Sequence, residues 1–321
     1  MLIRIATRSS AQAIAQTTWV AERLQVLNPE VETVLVPTDT AGDIDKITPI
    51  WELGGKGVFA KEVQLAVLAG RADIAVHSGK DLPARTPDGL TIGAVPTRRD
   101  PRDALVGCRL ADLPPGARVA TGSIRRRTQL AWLRPDLTFA GLRGNIGTRL
   151  EKAAEFDAIV IAAAALGWLG ETARAAEILE PDVMLPQVAQ GTLAVECRSD
   201  DEDVLAVLAD LEDPPSRRCF DAERAFLETL GGDCSLPAGA FATVGAEGEV
   251  TVSGLIGSLD GHVVLRHRLH GANACELGRR WPTTCWTRAA GHCSSAEPRC
   301  ARLPWWIRTG PEAPAGNRCV A

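Results

Sequence analysis

The chain has 321 residues, a formal net charge of −5, 45% hydrophobic residues and 23% charged residues; this balance predicts two or three folded domains and excludes an intrinsically disordered protein. No apolar run approaches the roughly 20 residues that span a bilayer, which excludes a transmembrane protein. The mild acidity argues against a general nucleic-acid-binding protein.

The first part of the chain alternates strands with helices, which is typical of parallel sheets built from βαβ units. We predict strands at 2–6, 31–36 and 73–77, and helices from Ser10, a suitable N-cap, to Leu27 and over 59–69. The segment MLIRIA is typical of a strand and lacks the features of a secretion signal, so a cytoplasmic location is expected.

The alternation starts again after residues 98–103. We predict strands at 117–121, 137–142 and 157–161 and helices at 123–133 and 145–155, while a late strand at 193–197 is a candidate to return to the first sheet. From about Pro214 the order changes, because a helix at 216–230 precedes β segments near 240–246, 249–257 and 262–269. This order predicts a small α+β domain.

Arginines are concentrated over 118–149, where seven of them stand against one acid. Arg125 and Arg126 lie in the first turn of a predicted helix after a Thr-Gly-Ser turn, and Arg143 lies at the next strand-to-helix turn. Free N–H groups at a helix start, a small hydroxyl residue and guanidinium groups bind anions. Solvated helix charge is the alternative for any single arginine, but ligands of open α/β folds bind at these strand ends. We predict a ligand with several carboxylates or phosphates.

Asp81, preceded by Lys80, comes directly after a buried strand. A carboxylate at this place can act as general acid or base, or can stabilise developing positive charge. An aspartate at a strand end also commonly forms only a turn. The nearby His77 fits a strand-end residue better than a catalyst.

Cys234 lies in LGGDCSLP, where flanking glycines favour an accessible thiol, whereas Cys197 in its apolar strand is expected in the core. An accessible cysteine suits either a nucleophile or a covalent attachment point, and the residues alone leave both open. No CxxC pair occurs, so neither a zinc ribbon nor a dithiol redox site is supported. Gly54-Gly55-Lys56-Gly57 lacks the spacing of a nucleotide-hydrolysing P-loop.

Nine stretches together resemble the porphobilinogen deaminase family, also called the hydroxymethylbilane synthases, over residues 3 to about 280. They are IATRSS (5–10), GGKGVFAKE (54–62), ADIAVHSGKDLP (72–83), RRDPRDAL (98–105), ATGSIRRRTQL (120–130), LRGNIGTRL (142–150), DAIVIAAAAL (157–166), LPQVAQGTLAVECR (185–198) and LGGDCSLPAGA (230–240). Several of these motifs are long and specific to the family.

The resemblance implies an α/β fold with two domains like those of type II periplasmic binding proteins, a cleft between them, and a small α+β C-terminal domain. The expected bounds are 1–96 plus 193–213 for domain 1, 97–192 for domain 2, 214–280 for domain 3, and 281–321 for an atypical tail outside the family fold. A monomer is expected, with no metal and no nucleic-acid or membrane partner.

The resemblance also implies a transferase that deaminates four porphobilinogen molecules and joins them head to tail. They are added to a dipyrromethane cofactor held through a thioether to the loop cysteine, here Cys234, and water then releases hydroxymethylbilane. Loss of ammonia leaves an electron-poor azafulvene cation, which a carboxylate stabilises. Each pyrrole carries an acetate and a propionate, so the growing chain requires many cations.

The family's functional residues match positions of this chain. Asp81 matches the catalytic aspartate near the pyrrole nitrogens. The positions that match cofactor-binding residues are Lys80, Asp81, Ser123, Arg125, Arg126, Arg143 and Cys234; those that match or line the substrate site are Arg8, Ser10, Lys56, Phe59 and Arg149. Ala163–Leu166 and Gln190-Gly191 fall in stretches that surround the cofactor.

Two departures from the family pattern flank reacting groups. Gly79 stands where the family usually has Met, and it is expected to loosen the segment before Lys80 and Asp81. Asp233 places a negative charge beside Cys234, which is expected to disfavour the thiolate and slow cofactor attachment.

The tail differs from the rest in composition. Residues 281–321 contain four of the nine cysteines and four of the eight tryptophans, with five Arg against two acids and no helical periodicity. The 30 Arg against 5 Lys in the chain indicate a GC-rich gene. With GC-rich codons chosen for residues 280–294, a shifted frame encodes Ala-Leu-Ala-Asp-Asp-Leu-Leu-Asp-Ala-Gly-Gly-Arg-Ala-Leu-Leu, which is the closing helix that the resemblance implies. The hypothesis is a frame shift near 278–281; the alternative is a genuine lineage-specific tail.

Two other functions compete with the transferase. One is a solute-binding module of the same two-domain architecture, against which Asp81 and Cys234 argue. The other is a deaminase homologue that the altered C-terminus has destabilised or inactivated. A covalent dipyrromethane on the purified protein separates the active enzyme from both.

Overall fold

A computed structural model of the chain describes residues 1–40, 57–231 and 236–292, with side chains as far as residue 284. Its strands are β1 (Leu2–Arg8), β2 (Glu32–Thr38), β3 (Ile74–Ser78), β4 (Leu90–Ala94), β5 (Asp103–Val106), β6 (Arg118–Ala120), β7 (Thr138–Ala140), β8 (Ala158–Ala162), β9 (Ala175–Leu179), β10 (Leu193–Arg198), β11 (Ala238–Val244), β12 (Val250–Gly257) and β13 (Val264–Gly271). Its α-helices are α1 (Ala11–Leu27), α2 (Lys61–Leu68), α3 (Ile124–Leu133), α4 (Ile146–Glu151), α5 (Ala163–Trp168), α6 (Glu202–Ala209), α7 (Pro214–Thr229) and α8 (Ala274–His292). No helix among these is long and apolar enough to cross a bilayer.

Two five-stranded sheets form the first two units of the fold. The first unit has the strand order β2-β1-β3-β10-β4 and the second unit has β7-β6-β8-β5-β9. The chain passes from the first unit to the second through residues 95–102, the first crossing, and returns through residues 180–192, the second crossing. The expected fold class, two α/β domains of the type II periplasmic-binding-protein kind with a smaller α+β unit, is confirmed.

The expected parallel pairing is present in both units, but one strand in each unit runs antiparallel to its neighbours. In the first unit β10 runs antiparallel to both neighbours, with Ala194 opposite His77. In the second unit β5 runs antiparallel to both β8 and β9. These are the strands on which the chain arrives from the other sheet, without the helical crossover that makes neighbouring strands parallel. The predicted return of residues 193–197 to the first sheet is confirmed.

The third unit is an antiparallel sheet, β11-β12-β13, packed against α7 and α8. Although the sequence shows no helical periodicity after residue 280, α8 continues to His292 with Pro282 inside it. Trp281 is fully buried in the core of this unit. Its ring meets Phe226 edge to face with centroids 5.1 Å apart, and its Nε1 donates to the His267 carbonyl at 2.7 Å. A side chain at Gly254 would collide with this ring.

The carboxylate of Glu223 in α7 joins all three units. It is fully buried and accepts hydrogen bonds from Arg98 in the first crossing, at 2.7 and 3.2 Å. It also accepts from the backbone N–H of Ala189 in the second crossing, at 2.6 Å, and of Ala242 in β11, at 2.7 Å. Ala189 has a φ of +57°, which is unfavourable for a residue with a side chain and is held by this contact.

We expect Glu223→Gln to lower the free energy of unfolding by about 3 kcal/mol, because the Arg98 guanidinium then lies buried without a counter-charge. Urea denaturation measures this change. The matched control is Glu228→Gln in the same helix, which removes a pair with Arg85, a side chain that is 82% exposed. Such an exposed pair contributes about 0–1 kcal/mol; equal losses in the two variants would contradict the structural role of Glu223.

Candidate active site between the first two units

The carboxylate of Asp81 lies at the carboxyl end of the first sheet. The buried strand β3 ends at Ser78 and continues into a short 3-10 turn over Gly79–Asp81. The parallel neighbour β1 ends at Arg8, whose Nη1 lies 3.4 Å from the Asp81 Oδ2. Phe59 lies under the Arg8 guanidinium, with 4.3 Å between the guanidinium carbon and the ring centroid. The aromatic ring and the carboxylate together orient Arg8.

The expected loosening at Gly79 was wrong. Gly79 is buried, and its N–H donates to the Thr192 carbonyl at 2.8 Å. An added Cβ would lie 3.0 Å from both the Ala189 Cβ and the Phe220 ring, which is closer than ordinary contact. The missing side chain therefore lets the second crossing and α7 pack directly against the turn that carries Lys80 and Asp81.

Arg125 and Arg126 occupy the first turn of α3, as predicted, and both bind Asp103. The Ser123 side chain caps this helix by accepting from the Arg126 N–H. Arg125 Nη2 and Arg126 Nη2 each lie 2.7 Å from an Asp103 oxygen. Burial alone would raise the pKa of Asp103, but the charges and hydrogen bonds of the two arginines outweigh it and hold that pKa below its usual value. Because one carboxylate serves two cations, the group keeps a net positive charge.

Arg149 in α4 faces the same space. Its Nε donates to the Gly144 carbonyl at 2.8 Å. Burial and the charges of Arg126 and Arg143 lower the pKa of Arg149 to about 10, against an opposing effect of Asp81. This mutual influence shows that groups from both units surround one space.

Lys80 is the cation next to Asp81 in the chain. Burial and the charge of Arg126 lower the pKa of Lys80 to about 8, although Asp81 and Asp103 act in the opposite direction. Its Nζ lies 3.5 Å from the Gln190 Oε1, and the Gln190 Nε2 donates to Asp103 at 2.8 Å. Gln190 of the second crossing thus links Lys80 of the first unit to the arginine pair of the second.

A small cavity lies beside Lys80 between the two units. Its walls include Gln12, Gln16, Ser78, Trp168 and Thr192. The Ser78 hydroxyl donates to Gln16 at 3.1 Å, and the Thr192 hydroxyl is buried without a hydrogen-bond partner among the described residues. Polar groups of both units therefore lie beside the lysine, among small apolar residues such as Ala162 and Ala189.

The structure brings most of the predicted site residues together, in one space between the units. They are Arg8, Phe59, Lys80, Asp81, Ser123, Arg125, Arg126, Arg143 and Arg149. The Ser10 side chain accepts from the Ala13 N–H at 3.3 Å and caps α1, as predicted. Ala163–Leu166 are buried at the start of α5. Lys56 and Cys234 lie outside the described residues.

The sequence did not single out Asp103, which neutralises part of the arginine cluster, or Glu223 and Arg98, which hold the crossings. Asp103 stands inside the RRDPRDAL stretch quoted above. Its signal was an acid within an arginine-rich segment that directly precedes a buried strand. The anion site was predicted from the arginines of 118–149, and Asp103, which binds two of them, lies outside that segment.

The charges of the cleft fit a ligand that carries several carboxylates. The pKa values of Lys80 and Arg149 are lowered by burial and by neighbouring cations, so positive charge is crowded there. Acetate and propionate groups, such as those of a dipyrromethane, would relieve this crowding. Among the described residues no cluster of three or more His, Cys, Asp or Glu is placed to hold a metal ion.

We expect the unfolding free energy to rise with pH between about 8 and 10.5 because of Lys80. Its pKa is about 8 in the folded protein against 10.5 ordinarily, so the unfolded chain binds more protons in this window. Urea denaturation at pH 7.5 and 9.5 measures the rise, and Lys80→Met should reduce it. The control is Lys152→Met, at an exposed residue; an equal rise in the two variants would contradict the burial of a charged Lys80.

Comparison with known proteins gives matches over most of the chain. The family model described as the dipyromethane cofactor binding domain of porphobilinogen deaminase matches residues 3–206, and the model of its C-terminal domain matches residues 217–281. Porphobilinogen deaminase of Syntrophus aciditrophicus strain SB is 48% identical over 284 residues, which cover 86% of this chain and 92% of the relative. That of Bacillus subtilis strain 168 is 40% identical over 286 residues, 87% of this chain and 90% of the relative. Among solved structures, the methionine binding protein MetQ has a TM-score of 0.40 at 12% identity, with 67% of this chain and 92% of that chain covered.

Proposed function

The chain belongs to the porphobilinogen deaminase family, and we propose that Asp81, with the cations that surround it, performs the chemistry of this family. The protein is a transferase that deaminates four porphobilinogen molecules and joins them head to tail on a covalent dipyrromethane cofactor, from which hydroxymethylbilane is hydrolysed. The observation that carries the proposal is the carboxylate of Asp81, in a cleft where cations from both units converge.

The role of Asp81 follows from the charge that the reaction develops. When ammonia leaves the aminomethyl group of porphobilinogen, positive charge spreads over the pyrrole. A carboxylate next to the ring stabilises this charge and can hold the pyrrole proton. Arg8, 3.4 Å from Asp81, fixes the direction of the carboxylate. Asp81 lies on a turn against which Ala189 and Phe220 pack closely at Gly79. The position of Asp81 is therefore fixed before substrate binds.

The cations bind and orient the carboxylates of the pyrroles. Arg8 and Arg149 are proposed to contact substrate, with Ser10, Lys56 and Phe59 lining the same side. Lys80, Ser123, Arg126 and Arg143 are proposed to hold the cofactor. Arg125 contributes mainly by placing its charge against Asp103, because it is almost fully buried. When bound, the dipyrromethane supplies the nucleophilic pyrrole carbon to which the first substrate is joined.

The attachment point is proposed to be Cys234, with the protein a cytoplasmic monomer. The anion-binding module is the competing function from another class, supported by the excess of cations in the cleft. It requires reversible binding only. A covalent pyrrole adduct is therefore the feature that separates the two.

We expect Asp81→Asn to lower the rate of hydroxymethylbilane formation by about 10²- to 10⁴-fold, because the amide neither accepts a proton nor stabilises the cation. Absorbance of the product after acid oxidation measures the rate. The matched control is Asp88→Asn, an exposed aspartate, which should retain the rate of the unmodified protein. Full activity of the Asp81 variant would exclude the proposed role.

We expect the intact mass of the purified protein to exceed that of the polypeptide by one dipyrromethane, with a positive reaction to Ehrlich's reagent. Cys234→Ser should lose both signals, because no thioether forms, whereas Cys275→Ser should keep them. Purified protein without added mass that still binds small carboxylates would instead support the binding module.

We also propose that the residues after about 280 are translated in a shifted frame relative to the rest of the gene. The C-terminal family model ends at residue 281, and the tail composition changes at the same place. Resequencing the locus, with the mass of the mature protein, tests this. A continuous reading frame that yields the printed tail would reject the shift and favour a lineage-specific segment.

A further inference from the structure

Arg99 of the first crossing contacts aromatic rings from both α/β units. Its guanidinium carbon lies 3.3 Å from the centroid of the Trp168 ring and 5.8 Å from that of Trp19. Trp168 ends α5 of the second unit, and Trp19 lies in α1 of the first. The two rings meet edge to face, with centroids 6.0 Å apart and planes at 71°. The three side chains thus form a continuous contact between the units.

Trp168 belongs to one unit by sequence and to the other by packing. Together with Trp19, it packs against the apolar core of the first unit, whose α1 members include Val20 and Leu24. The same residue lines the cavity beside Lys80. A separation of the units would therefore pull Trp168 away from a core and widen the cleft at the same time.

The positive charge of the Arg99 guanidinium is stabilised by these two tryptophan rings. Burial lowers the pKa of Arg99, and among the described residues no charged neighbour contributes to this shift. A cation over an aromatic face is held more strongly when it is partly desolvated. Its charge is therefore compensated by the tryptophan faces rather than by an ion pair.

The backbone of Arg99 is fixed to the second crossing. Its N–H donates to the Gly191 carbonyl at 2.9 Å. Gly191 has a φ of +84°, and a Cβ there would lie 2.5 Å from the Arg99 carbonyl oxygen. The two crossings touch at this point, and connecting segments of this kind are where hinge motions between domains occur.

We propose that Trp19, Arg99 and Trp168 form a clasp that holds the first two units together, and that the lengthening pyrrole chain separates the units against it. This inference rests on the proposed function, since only a cleft that receives four successive pyrroles must enlarge. The clasp is a positioning element: it touches no reacting atom and acts through the distance between the units. Removing the clasp favours the later pyrrole additions relative to the first addition. Only the later additions require a wider cleft, because the bound chain is then longer.

The test uses the holoenzyme and its Arg99→Ala variant with limiting porphobilinogen. Intact mass spectrometry counts protein molecules that carry one, two, three or four added pyrroles. The ratio of three-unit to one-unit species should rise about threefold to tenfold in the variant, as expected from the loss of a cation–π contact, while the rate of the first addition stays the same. Hydrogen exchange should increase in peptides that contain Trp19 and Trp168.

Two further variants separate a clasp from general stability. Arg99→Lys keeps a cation over the rings and should restore the ratio to within twofold. Arg127→Ala removes a contact with Phe139, 5.9 Å away, that lies within the second unit, and should leave the ratio unchanged. A ratio in Arg99→Ala equal to that in Arg127→Ala, at the same melting temperature, would overturn the clasp. If no covalent pyrrole species form in any of these proteins, the proposed function fails. In that case hydrogen exchange still tests the clasp: unchanged exchange in the Trp19 and Trp168 peptides of Arg99→Ala would reject it.

Discussion

A single buried carboxylate determines how the three parts of the molecule meet. The Glu223 carboxylate accepts hydrogen bonds from both crossings and from the third sheet, so one buried charge connects the two α/β units and the α+β unit. Its helix, α7, also supplies Phe220, which packs against Gly79 directly before Lys80 and Asp81. The position of the reacting carboxylate therefore depends on a contact that lies outside the cleft. A charge buried in this way is strongly destabilising when its partner is lost, so the contact fixes the arrangement of the units as well as contributing to stability.

The cleft combines crowded cations with few anions of its own. Asp103 compensates part of the charge of Arg125 and Arg126, and Gln190 connects that pair to Lys80. Burial, together with the remaining positive charge, lowers the pKa of Lys80 and of Arg149. A polyanionic ligand reverses this effect, because each carboxylate that it brings stabilises the protonated forms. Binding and charge state are thus coupled in both directions.

Much of the architecture was predictable from local pattern, because the longer helices and the buried strands have clear apolar periodicity and caps such as Ser10 and Ser123. The strands β4, β5 and β9 and the short helices α5 and α6 were not predicted. These segments are short, and β5 takes its antiparallel direction from the first crossing rather than from its own residues. The site residues came from motifs, whereas Asp103 and Glu223 act through partners distant in sequence, Glu223 reaching Arg98 across 125 positions. The helical continuation past residue 280 was not predicted because the tail lacks periodicity, although the buried Trp281 packs the start of this continuation into the core.

Trp281 has an implication for the history of this chain. Its ring fills a slot against Gly254 and Phe226 that no smaller side chain would fill equally well. In the shifted frame written with the chosen codons, the codon that overlaps Trp281 specifies leucine. If the gene has changed frame, the residue that packed here before the change was smaller than tryptophan. The indole fits against β12 because Gly254 has no Cβ. A glycine selected for another reason would then have made the altered C-terminus tolerable, which is how a fold can survive an otherwise disruptive genetic accident.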